Sequence, residues 1–282
     1  MSSQRRRCRP TRCWCSSRLR TTAHMMPGVL ATPRPRPDAA GTRKRGSRAS
    51  PAIGPHAYAS WRGSRLGSIT ECIEQRLVVD LMGDVTGRRV LDAGCGDGAL
   101  ACAAAARGAD VTGLDSDPAM LVAARSRLAQ VGASVALLEG RLEQLPFHDA
   151  SFDVVVSITV LGFVPDSARA VHEMARVLRP GGHLVLGELG RWSLWAAGRR
   201  LRGWFDASTW KAARFHSAAA MRALAEHAGL RVTTIRGAVY YPPVALLARV
   251  LAPLDARLGS VTSVGAAFVA LRAMRAGRHP AR

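Results

Sequence analysis

Residues 90–98, Val-Leu-Asp-Ala-Gly-Cys-Gly-Asp-Gly, constrain this chain more than any other stretch. A short apolar run ends in an acid, three glycines follow at alternate positions, and an alanine-rich segment comes next. The apolar run suits a buried strand and the alanines suit a helix. Gly94, Gly96 and Gly98 carry no Cβ, so the backbone there can turn sharply and lie close against a bound molecule. Strand, tight turn and helix in that order open an α/β fold.

The alternation continues downstream. Tyr58–Leu81 reads as a helical lead-in, with Ile69, Ile73, Leu77 and Leu81 on one face. Strands are expected at Arg89–Asp92, Asp110–Leu114, Ser134–Leu138, Phe152–Ser157 and His183–Gly187. Helices are expected at Gly98–Arg107, Pro118–Gln130 and Ser167–Leu178, the last closed by Arg179-Pro-Gly-Gly. Such alternation gives a parallel sheet covered on both faces. After Glu188 the pattern changes. Arg191–Phe215 holds Trp192, Trp195, Trp204 and Trp210 among basic residues and reads as an insertion. A helix at Ser217–His227, a strand at Arg231–Ile235, an apolar helical segment at Pro242–Leu258 and a last strand at Val264–Arg272 complete the reading.

Two ligand classes compete for the glycine turn. Gly94-x-Gly96-x-x-Ala99 fits a loose dinucleotide fingerprint. A pyrophosphate seeks backbone N–H groups at a helix N-terminus, and Asp92 and Asp97 would both repel it. S-adenosylmethionine (SAM) has an ammonium and a sulfonium and no phosphate, so the same acids attract it. Asp115 ends the run Val111-Thr-Gly-Leu-Asp115, 23 positions after Asp92. That is one strand–helix–strand unit, where such folds place the acid that accepts from ribose hydroxyls. Asp117-Pro118 then opens the next helix as N-cap and first helical residue. Ligands bind these sheets at the C-terminal ends of the strands, so Asp92, Asp115, Ser157 and Glu188 are expected along one edge.

Four blocks resemble the class I SAM-dependent methyltransferases, in particular the group that includes the ubiquinone/menaquinone C-methylases (type 11). They are Val90–Gly98, Val111–Met120, Glu139–Asp166 and Leu178–Leu186, and the resemblance runs from about Tyr58 to Ala273. It implies a Rossmann-like, doubly wound, seven-stranded α/β sheet with an antiparallel last strand and a helical insertion after the fifth strand. It implies SAM as cofactor and a methyl transfer by in-line displacement. By the same resemblance Asp92 and the backbone of Gly94 and Gly96 meet the methionine end, Ala93 and Cys95 belong to the cofactor-binding set, and Asp115 meets the ribose. Ser116 and Met120 flank the adenine, and Ser157 and Leu161 lie beneath the methionine. Arg141 and Leu142 stand where relatives often have Asp-Ala at the adenine edge, so Arg141 offers a donor in place of an acceptor. Tyr58 and Trp61 are candidates to close over the cofactor.

Charge is unevenly spread. The formal net charge is +20, but residues 1–50 hold thirteen of the 40 lysines and arginines and one of the 20 acids, Asp38. Residues 1–50 therefore read as a disordered basic arm, with Met25 and Met26 as alternative starts, ahead of a domain at 51–282 whose Trp-rich insertion spans about 190–215. Cys8, Cys13 and Cys15 lack a fourth ligand at zinc spacing, so no metal site is expected. The other cysteines are scattered, there is no secretory signal, and no stretch is long enough to span a bilayer, which together point to the cytoplasm.

The catalytic candidates are Glu188, at the end of the fifth strand, and His216, after the insertion; Tyr240 and Tyr241 approach from the last hairpin. Relatives often have histidines where Gly162 and Phe163 stand. His148, His172 and His183 read as solvated. The leading expectation is methyl transfer from SAM to a small apolar or aromatic acceptor. A nucleic-acid methyltransferase using the basic arm and a non-catalytic SAM-binding protein are the alternatives. Trp beside Arg in the insertion also allows peripheral membrane contact. No obligate protein partner is evident.

Overall fold

The computed structural model describes residues 54–198 and 215–277. The basic arm 1–50 and the insertion's Trp204 and Trp210 lie outside the described residues. In chain order the elements are α1 (Pro55–Gly63), α2 (Arg65–Met82), β1 (Arg89–Ala93), α3 (Ala99–Ala105), β2 (Asp110–Asp115), α4 (Pro118–Val131) and β3 (Ala136–Glu139). Then come β4 (Phe152–Ile158), α5 (Ser167–Val177), β5 (Leu178–Leu189), α6 (Ala218–His227), β6 (Leu230–Ala238), α7 (Ala245–Val261) and β7 (Phe268–Arg275).

The seven strands form one sheet in the order β3-β2-β1-β4-β5-β7-β6. β1 pairs in parallel with β2 and β4, and β5 in parallel with β4, whereas β7 runs antiparallel to both β5 and β6. The chain order reverses between β1 and β4, and that switch point opens a crevice at the strands' C-terminal ends.

Strand periodicity sorts the core into two layers. Leu91, Leu114, Val155, Leu184, Leu186 and Leu271 face α5 and α6, where Val171, Met174, Met221 and Ala225 wait. Val90, Val111, Val154, Val156, Val185 and Ala270 face α2 and α3, against Val78, Leu81, Met82, Ala101 and Ala104. Each such fully buried aliphatic side chain stabilises the fold by roughly 1.5–3 kcal/mol. The caps follow the sequence reading: Asp117 accepts from the Ala119 N–H at 2.9 Å, and Asp166 accepts from the Arg169 N–H at 2.9 Å.

Three expectations need correction. The lead-in is two helices. Ser64 is extended and caps α2 by accepting the Gly67 N–H at 3.0 Å, while its hydroxyl donates to the Trp61 carbonyl at 2.7 Å. A Cβ on Gly67 would stand 1.9 Å from that carbonyl, so the glycine lets α1 fold back. β5 begins early, at Leu178, and Arg179-Pro-Gly-Gly is absorbed as an irregularity between its pairings with Phe152 and Val154. His183 is buried, not solvated: its Nε2 lies 3.0 Å from the Met82 carbonyl, and desolvation together with Arg272 holds its pKa down at about 4.

Candidate functional site

A cavity of about 570 Å³ lies over the C-terminal ends of the strands. One half is built by two loops. After β1, Gly94, Gly96 and Gly98 all adopt positive φ, which only glycine tolerates easily. A Cβ on Gly94 would sit 2.5 Å from Val160, whereas one on Gly96 would project into empty space. After β2, Asp115 is held in place at both oxygens: Oδ2 accepts the Gly96 N–H at 2.8 Å and Oδ1 the Asp117 N–H at 2.9 Å. Asp115 thus ties the two loops together while facing the cavity beside Ser116, Asp117 and Met120.

Asp92 is the most deeply buried acid of the lining. It is 3 % exposed, and the Ala101 N–H in the first turn of α3 points to its carboxylate. Its Oδ2 has no hydrogen-bond partner. Burial, and then the charge of Asp115, push its pKa up to about 7. A buried carboxylate with an orphaned oxygen is costly alone and favourable beside a cation.

Asp97 differs. Arg62 donates to both of its oxygens at 2.8 and 2.6 Å, and Arg127 reaches it at 2.5 Å. Two guanidiniums offset its charge, so the repulsion expected of it toward a pyrophosphate is lost. The discrimination falls to Asp92 and Asp115. The same Arg62 lies 4.3 Å from the Tyr58 ring centroid and 2.8 Å from Glu71. It thereby fastens α1, with Tyr58 and Trp61, over the glycine loop.

The other half is lined by Thr70, Glu74 and Val78, which are spaced by four along α2. Ile158, Thr159, Val160, Phe163, Leu189, Trp195, Val239 and Ala267 complete it. Thr159 and Val239 have φ of +57° and +64°. A positive φ is rare in such β-branched residues and concentrates at functional sites. Val239 is fixed through its N–H by Asp255 at 2.9 Å and through its carbonyl by the Ala267 N–H at 3.0 Å.

The sequence candidates divide. Asp92, Gly94, Cys95, Gly96, Asp115, Ser116, Met120, Tyr58 and Trp61 line the cavity together. Ala93, Leu142 and Leu161 pack in the core instead. Arg141 is exposed and pairs with Glu143 at 2.9 Å. Ser157 is fully buried, its hydroxyl without a partner. Glu188 is 3 % exposed and does not line the cavity; its Oε1 accepts the N–H groups of Val160 at 3.1 Å and Leu161 at 2.8 Å. Desolvation raises its pKa to about 7. His216 pairs through its backbone with Gly190, outside the lining. Tyr241 is buried, with its hydroxyl 3.0 Å from Thr70, and its carbonyl accepts the Trp195 indole N–H at 2.8 Å.

Comparison with known proteins agrees with this geometry. A family model described as a methyltransferase domain matches residues 91–186. A ubiquinone biosynthesis O-methyltransferase of Alkalilimnicola ehrlichii is 43 % identical over 115 residues, covering 40 % of this chain and 47 % of that protein. The same-named protein of Thiobacillus denitrificans is 34 % identical over 170 residues, covering 58 % of this chain and 73 % of that protein. The chain belongs to the class I SAM-dependent methyltransferases. Among solved structures, a SAM-dependent methyltransferase of Thermotoga maritima, described as a possible histamine N-methyltransferase, shares the fold with a TM-score of 0.59 at 25 % identity, covering 78 % of this chain and 95 % of that one. The [4+2]-cyclase SpnF shares the fold alone, with a TM-score of 0.52 at 20 % identity over 72 % of this chain and 81 % of that one. The chain spans about half the length of the first of the curated relatives it matches.

The lining of this cavity fits SAM on its own chemistry. Asp92 holds a buried oxygen without a partner, a group that an ammonium would satisfy, and Gly96 leaves open the space a side chain would fill. Asp115 keeps its carboxylate fixed at the cavity wall for ribose hydroxyls. Among the described residues no helix is long and apolar enough to cross a membrane.

Proposed function

We propose that this chain transfers a methyl group from SAM to an oxygen on a small, apolar or aromatic acceptor. The observation that carries the reading is one cavity with two chemistries: the buried Asp92 and the half-buried Asp115, and the apolar side chains of Val78, Phe163, Trp195 and Val239 in the same lining. SAM supplies a methyl carbon already activated by the sulfonium. The protein's share is alignment and exclusion of water, worth on the order of 7–11 kcal/mol when alignment is good. Asp92 holds the ammonium and Asp115 the ribose. Tyr58 and Trp61, fastened by the Arg62–Asp97 ion pair, keep water out. The apolar wall presents the acceptor oxygen in line with the bond being broken. As the new C–O bond forms and the C–S bond breaks, the acceptor's hydroxyl proton must leave, and Glu74 is a lining carboxylate that can take it, whereas the neighbouring Glu71 is paired with Arg62.

Glu188 is assigned a positioning role: its carboxylate fixes the backbone of Val160, which lines the cavity, and of the core residue Leu161. His216 takes no step. The relatives named as ubiquinone biosynthesis O-methyltransferases favour oxygen as the attacked atom and a lipophilic ring as its carrier. The cytoplasm remains our assignment for the chain.

The test is turnover. The full chain, SAM and a panel of alkyl-substituted phenols and catechols are incubated together, and S-adenosylhomocysteine and methylated product are measured. Stoichiometric appearance of both is expected. Tight SAM binding with no product from any apolar hydroxyl acceptor, while an amine panel is methylated, would overturn the choice of acceptor.

A further inference from the structure

Helix α7 is turned inside out relative to an ordinary surface helix. Its inward stripe is small or polar: Ala248, Asp255 and Gly259 are buried. A Cβ on Gly259 would stand 2.0 Å from the Gly237 carbonyl, so the helix lies directly on the β6 backbone. Asp255, the helix's single acid, accepts the N–H groups of Val239 and Tyr240, each at 2.9 Å. The outward face is aliphatic. Leu246 is 70 % exposed, Val250 62 % and Val261 85 %, with Leu247, Leu254 and Leu258 also exposed. Arg249 and Arg257 stand exposed among them, and neither has an ion-pair partner among the described residues. A contiguous apolar face of this kind on a soluble domain marks a contact surface.

Charge decides between occupants. From Val244 to Val264 the only acid is Asp255, and it is buried and already bonded. A second copy meeting this face about a two-fold axis would set arginines against arginines with no acid to pair them. Residues 199–214 of the chain itself carry five basic residues and only Asp206 as an acid, so they too are a poor electrostatic match. An anionic lipid surface matches both features, with hydrocarbon for the leucines and headgroup charge for the arginines, whose stems reach the interface. The face is also joined to the cavity: Val239, fixed by Asp255 of α7, lines its apolar half, and so does Trp195, which bonds to Tyr241 three residues before Val244.

We infer that the outward face of α7, Leu246 to Val261 with Arg249 and Arg257, docks this protein peripherally on an anionic membrane surface. The inference does not rest on the methyl-transfer reading. It places the membrane contact on α7 rather than on the tryptophans of the insertion, of which Trp192 is exposed and Trp195 buried.

The test is co-sedimentation of the full chain with phosphatidylcholine vesicles with and without phosphatidylglycerol, at low and high salt. Two variants are compared with the parent: Leu246→Ser/Val250→Ser/Leu254→Ser, and Arg249→Glu/Arg257→Glu. Thermal unfolding and light-scattering mass are measured on the same samples. The parent is expected to bind the anionic vesicles and to lose them at high salt. Each variant should bind at least about tenfold more weakly, with unchanged unfolding temperature and mass. Three results would each overturn the inference. One is variants that bind like the parent, which would place lipid contact elsewhere, such as the basic arm. Another is a parent dimer that the serine variant splits. The third is a serine variant with a clearly lowered unfolding temperature, which would mean the chain itself covers the face.

Discussion

The half of the cavity that we assign to the cofactor draws on two short runs, Asp92–Asp97 and Asp115–Met120, each at the end of a strand. The apolar half draws on residues from α2, the β4 and β5 ends, Trp195, Val239 and Ala267, spread over some 200 positions. The first half is local: its glycines, N-cap and acids lie within a few residues of one another and set each other's geometry. The second half exists only once the sheet has formed and α2 has been laid across it. The two halves should therefore respond differently to change, and variants can separate them.

The largest expected effect is at Asp115. Asp115→Ala removes the carboxylate we propose for the ribose and also the tie between the Gly96 and Asp117 N–H groups. Hydrogen bonds to a charged group contribute about 1.5–3 kcal/mol each, so calorimetry should find SAM bound about a hundredfold more weakly. Circular dichroism should show the fold retained, because the loops lie outside the core.

The next effect is in the pH profile. Asp92 has its folded pKa raised to about 7, so it must lose a proton before it can pair with a cation. SAM affinity should rise about fiftyfold from pH 5 to pH 7, a window in which the ligand's own α-amino group stays charged. Asp92→Asn should flatten that profile. Glu188 shares the raised pKa but does not reach the cavity, so Glu188→Gln should leave the profile in place. Stability runs the opposite way. Between about pH 4 and 7 the folded state holds protons on both acids that the unfolded state has released, so unfolding free energy without ligand should fall as pH rises through that range.

A smaller effect, confined to the apolar half, is expected of Phe163→Ala. It should lower kcat/KM for the acceptor by about tenfold, as loss of a few methylene-sized contacts does, and leave SAM affinity within about threefold of the parent. The smallest belongs to Arg62→Ala. Asp97 keeps Arg127, so SAM affinity should drop only a few-fold, in line with the modest strength of partly exposed ion pairs. If Phe163→Ala weakened SAM as much as Asp115→Ala, the division of the cavity would not stand.

The same division explains what could be read from the sequence. The glycine loop and the acids at 92 and 115 were legible because each depends on spacing within one strand–helix–strand unit. The break at Ser64 was written locally, in Gly63, Ser64 and Gly67, but the regular apolar spacing from Ile69 to Leu81 concealed it. That spacing marks the core side of α2, and the neighbouring row, Thr70, Glu74 and Val78, is the one that meets the cavity. Asp97 read as a free charge because its partners lie 35 and 30 positions away. Glu188 was placed correctly at a strand end, but nothing in the sequence shows that the Val160 and Leu161 N–H groups claim its carboxylate. The positive φ of Thr159 and Val239 leaves no mark on residue type.

Parallel calorimetric titrations of the unmodified chain with SAM and with NAD at neutral pH test the central claim most directly. The two cavity acids Asp92 and Asp115 should admit the cationic nucleoside, with measurable heat and a saturating isotherm, and give no saturation with the diphosphate. Saturable NAD binding as tight as that of SAM would contradict the account.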